Sequence, residues 1–117
     1  MGGLPTFIQG AHNSVMTDRA KIKLSRLREI GWSFWDPIGL REISGSDWKN
    51  GGACADEYDS YLMEAAVMLR RGDAPSTVVA YLIDTETGHI GLTPNETTAS
   101  RAEATVAALS DYLASLG

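Results

Sequence analysis

At 117 residues the chain suffices for one domain with one core, and its 44% hydrophobic and 21% charged content is ordinary for a globular protein. No apolar run approaches the ~20 residues that a membrane-spanning helix requires, which excludes such a span. A formal net charge of −5 argues against nucleic acid as a general partner.

Residues 1–15 carry Gly2, Gly3, Pro5 and Gly10 without helical periodicity and read as an irregular arm. Met1 to Gly10 has neither a basic start nor a long apolar region, so no signal peptide is expected. Residues 16–117 read as a single helical domain. Cys54 is the only cysteine, which rules out an intramolecular disulfide and fits a reducing cytoplasm. Five of the ten bases, Arg19, Lys21, Lys23, Arg26 and Arg28, fall within ten residues, whereas Glu29 to the C-terminus holds five bases against fourteen acids. That asymmetry predicts a basic helix lying on an acidic body, or a basic edge for an acidic partner.

The first helix is expected over 18–30. Ala20, Leu24 and Leu27 share its apolar face, and Gly31 ends it. Trp32, Phe34 and Trp35 follow as an aromatic cluster of core anchors. Pro37 fixes its own φ and pushes Asp36 out of the helical region, and Gly39 permits a positive φ. The result is a rigid corner, with Trp35 buried, its N–H in need of an acceptor, and Asp36 accepting N–H bonds. Residues 41–55 have turn chemistry around Trp48, a long connection of the kind that is often functional.

A second helix is expected over 57–71, with Asp56 as N-cap and Glu57 and Asp59 in its first turn, where the helix dipole favours negative charge. Tyr58, Tyr61, Leu62, Ala65, Met68 and Leu69 form one apolar face, and Met63 and Val67 lie on the opposite side. This second face implies a central helix, or a homodimer formed through Met63 and Val67. A third helix starts at Pro75 and runs to about Thr87 with Gly88 as its stop. Its face of Val78, Val79, Leu82 and Ile83 is interrupted one turn later by Glu86, the residue whose position contradicts its chemistry. The fourth, over 96–115, has the clearest amphipathic spacing, through Ala102, Val106, Leu109, Leu113 and Leu116.

Three segments carry a family resemblance: Trp35-Asp36-Pro37-Ile38-Gly39, then Asp56-Glu57-Tyr58-Asp59 with Tyr61, then Glu86-Thr87-Gly88-His89-Ile90-Gly91-Leu92. Together they resemble a family of small bacterial proteins of unknown function, over roughly residues 18–113. Ile90 stands where Met is expected, and the 41–55 connection is longer than usual. The resemblance implies a compact helical fold and no established activity, so it assigns no catalytic residue.

The chain has no complete catalytic set. Cys54 has only His89 as a conceivable base, and Asp56 and Glu57 would raise its pKa. No Gly-x-Ser-x-Gly elbow or phosphate loop is present. Glu86 and His89 have the Glu-x-x-His spacing of bundle metal sites, but only one such motif exists. The competing structural reading has Glu86 accepting hydrogen bonds from Trp35, Tyr58 or Tyr61, because buried carboxylates are paired.

The expectation is therefore an all-α, compact four-helix domain with an irregular arm and a long loop between helices 1 and 2. It is read as a small cytoplasmic, non-enzymatic protein-binding module without a cofactor, and an inhibitor or immunity-like role falls within that class. The expected partner is another protein, not nucleic acid or membrane. Candidate binding residues are Trp35, Asp36, Trp48, Asp56, Glu57 and Asp59. The alternative is a metal-binding helical protein using Glu86 and His89.

Overall fold

The computed structural model describes residues 21–44, 49 and 54–116. These form five α-helices and no strand: α1 Leu24–Ile30, α2 Leu40–Ser44, α3 Asp59–Arg70, α4 Pro75–Asp84 and α5 Thr98–Ser115. Two π-helical turns, Gly31–Trp35 and Thr85–His89, prolong α1 and α4. The fold is all-α, as expected. The arm and Trp48 lie outside the described residues, and no described helix is long and apolar enough to cross a membrane.

The four long expected helices are present, with shifted ends. Neither Gly31 nor Gly88 is a stop. Gly31 is helical, with φ −64°, and leads into a wider turn in which the Asp36 N–H reaches back five residues to the Gly31 carbonyl at 2.8 Å. Its lack of a side chain serves close packing, since a Cβ there would overlap Leu62 Cδ1. Likewise, Gly88 lies within the second turn, which closes by Ile90 N–H to the Thr85 carbonyl at 2.8 Å. Gly72, by contrast, terminates α3 as the sequence predicts: its φ of 99° turns the chain, and the Asp73 N–H reaches the Met68 carbonyl at 3.0 Å.

α3 packs on α1, α4 and α5, and α5 packs on α4 and the first π turn. One core joins them, with Leu27, Trp35, Leu62, Ala65, Val78, Leu82, Ala102 and Leu109 all at 0% exposure. Full burial of each of these leucine and valine side chains contributes about 1.5–3 kcal/mol. The amphipathic face of α5 is as predicted, with Ala102, Val106, Leu109 and Leu113 buried and Leu116 packed at its edge.

The face of α1 is different from the predicted one. Leu27 and Ile30 within it and Ile22 just before it are buried, and Leu24 is 42% exposed. Phe34 also departs from the predicted aromatic core. Trp32 and Trp35, three residues apart, both point inward at 1% and 0% exposure, so Phe34 between them is turned out, at 46%. Met63 packs against this chain's own core, and Val67 is half-buried.

Candidate functional site

The three motif segments converge on one junction. Asp36 has a left-handed backbone (φ 36°, ψ 58°), the only non-glycine positive φ among the described residues. Proline at 37 disfavours the right-handed helical region for Asp36, and aspartate is among the few residues that tolerate the left-handed one. The turn brings its carboxylate over the start of α2. Oδ1 accepts from the Leu40 N–H at 2.7 Å, and Oδ2 from the Arg41 N–H at 3.1 Å. Oδ1 also accepts from the Tyr58 hydroxyl at 2.7 Å, and that hydroxyl in turn accepts from the Ile38 N–H at 3.2 Å. Burial, reinforced by the bond to Asp36, pushes the Tyr58 pKa far above the ordinary phenol range.

On the other side of Trp35, Arg101 makes a fork. Nη1 donates to Glu86 Oε1 at 3.0 Å and to the Trp35 carbonyl at 3.1 Å. Nη2 donates to Glu86 Oε2 at 2.8 Å, and Nε to Thr97 Oγ1 at 2.8 Å. Glu86 is 2% exposed, so this planar two-bond pairing is what makes its charge tolerable. The predicted aromatic donors are not its partners. Sequence reasoning missed Arg101, although a signal was present: it is the only base after Arg71.

The expected acceptor for the Trp35 N–H is not found among the described residues: Nε1 of Trp32 and of Trp35 are buried without a hydrogen-bond partner there. The Trp35 ring packs instead against Tyr58 at 5.4 Å and edge-on against Tyr61 at 6.1 Å between centroids.

The acidic candidates separate. Asp59 is held by Arg28, with Nε to Oδ1 at 3.0 Å and Nη2 to Oδ2 at 2.7 Å. This pair ties the basic helix to the acidic body, and Asp59 is largely responsible for raising the Arg28 pKa. Asp56 is not the N-cap of α3. That position is Tyr58, without a side-chain capping bond, and Asp56 and Glu57 stand exposed in the preceding turn. Glu86 and His89 lie in different surroundings: Glu86 is buried on Arg101, while His89 is exposed with its ring edge-on to Tyr61 at 5.6 Å. No group of three or more His, Cys, Asp or Glu side chains with metal-ligand placement occurs among the described residues. Cys54 is a half-buried free thiol.

Two open clefts flank the exposed ring of Phe34, and both are lined by Arg26, Ile30 and Phe34. One, of about 450 Å³, runs toward Arg41 over Trp32. The other, of about 640 Å³, runs along α5 toward Tyr112 and Leu116. Arg26 lies over the Tyr112 ring at 5.6 Å and is paired with Glu29. None of the predicted site residues that are described lines either cleft.

No family model matches the chain, and neither the curated proteins nor the solved structures contain a significant match.

Proposed function

We propose that this chain is a cytoplasmic, non-enzymatic protein-binding module, and that its contact surface is the Phe34 edge of α1 rather than the Trp35–Asp36 corner. The observation that carries this reading is the exposure of Phe34. An aromatic ring left 46% exposed between two clefts is the kind of apolar feature that marks an interaction surface. The residues with the most chemical potential are committed to internal bonds: Asp36 to Tyr58, Asp59 to Arg28, Glu86 to Arg101. Their engagement weighs against catalysis and against a metal held by Glu86. The motif resemblance fits the same reading, because its three segments meet in a fold-holding junction. An inhibitor or immunity-like role is the form of protein binding we favour.

Site-specific photo-crosslinking in the native cell tests it. A crosslinker at Phe34 is expected to trap one discrete protein, and the same group at exposed Glu103 to trap none. Absence of any adduct from both positions 34 and 24 would remove the reading.

A further inference from the structure

We propose that the Phe34 groove takes an acidic amphipathic segment of a partner protein, apolar side chains against Phe34 and Ile30 and carboxylates against the basic rim. The inference rests on the protein-binding reading and specifies the partner's chemistry.

The argument is charge. Lys23, Arg26 and Arg41 contribute cations to the two clefts, and Glu29 and Asp111 contribute acids, Glu29 paired with Arg26. The lining thus carries three cations against two acids. Elsewhere the described surface exposes Glu42, Asp56, Glu57, Glu64, Asp84, Glu96 and Glu103. On a chain of net charge −5, an acidic segment is repelled from most of the surface and accepted at this edge. The field therefore orients an acidic partner onto the edge where the Phe34 ring is also exposed. A basic segment would be drawn to the acidic surfaces, away from Phe34.

Trp32 lines the smaller cleft with its indole N–H buried, so the signal of that N–H reports on an occupant of the cleft without bonding to it.

The test titrates the full isotope-labelled chain with two synthetic helical peptides of about four turns, with identical leucine stripes and either glutamate or lysine on the polar positions. The glutamate peptide is expected to move the backbone amides of Lys23, Arg26 and Phe34 and the Trp32 indole N–H signal. The lysine peptide should bind at least about tenfold more weakly. Lys23→Glu with Arg26→Glu should reverse that preference, and Phe34→Ser should weaken both peptides; all three residues are exposed, and circular dichroism verifies that each variant folds. Equal binding of the two peptides overturns the proposal, as do shifts centred on another surface or an unmoved Phe34 amide and Trp32 indole. Concentration-dependent shifts at Phe34 without peptide would identify a second copy as the occupant and overturn it too. A crosslinked partner from position 34 together with a failed peptide preference would leave the protein-binding reading standing and remove only this one.

Discussion

Asp36 does three jobs with one side chain: it occupies a left-handed backbone position, caps α2 and receives the Tyr58 hydroxyl. The contributions separate by substitution. Asp36→Ala removes the acceptor and also leaves a Cβ-bearing residue in the left-handed region without a compensating bond, so a loss of about 2–3 kcal/mol is expected. Asp36→Gly removes the same acceptor but is at home at that φ, and should lose about 1 kcal/mol less. Urea denaturation midpoints decide it: equal midpoints for the two variants would mean that the backbone conformation carries no strain. Much of this corner was legible, because Trp-Asp-Pro restricts the backbone whatever surrounds it. The exposure of Phe34 was not. Three aromatics in four residues all look like core, and which ring turns outward depends on the wider turn at Gly31, for which the sequence has no local signature.

Among the elements, the apolar spacing of α3, α4 and α5 was enough to find them, since a face of that width must be buried. The end at Gly72 was read correctly and those at Gly31 and Gly88 were not, because glycine does not always mark a stop: at Gly31 it permits the close approach of Leu62. Glu86 was correctly singled out as a contradiction, but its partner lies fifteen residues away on another helix, beyond any i, i+4 pattern. The pair that joins α5 to the second π turn has an asymmetry. Arg101 has a side chain 24% exposed and reaches water, whereas the Glu86 side chain, at 2%, does not. Glu86→Ala should therefore cost about 2–3 kcal/mol and Arg101→Ala about 3–5 kcal/mol, the latter leaving a buried carboxylate uncompensated. The double variant should be more stable than Arg101→Ala alone. Thermal unfolding of the three proteins checks the order, and a double variant less stable than either single one would show that the pair is not what Glu86 needs.

For the whole molecule, Tyr58 ties the Trp35–Gly39 segment to the core, and its raised pKa predicts an alkaline limit on the fold. The ring contacts Trp32 and Trp35, and the hydroxyl holds Asp36 and Ile38. Burial raises its pKa in the folded state, so its stabilising contribution is fully present below the phenol value of the unfolded chain, about pH 10. Above that pH the unfolded chain loses its proton first, and the contribution fades as pH rises toward the folded value. The sign is a stability that falls with increasing pH. Tyr81, also raised by burial, adds to the same slope, so some alkaline loss must persist without Tyr58. Tyr58→Phe should be about 1 kcal/mol less stable near neutrality, from the lost bond to Asp36. Its stability should then decline less steeply than that of the natural chain as the pH is raised through about 10. Denaturant titrations at stepped pH measure both curves. Parallel curves for the two proteins would mean that the Tyr58 hydroxyl titrates alike in the folded and unfolded chain, and that the junction does not govern the alkaline limit.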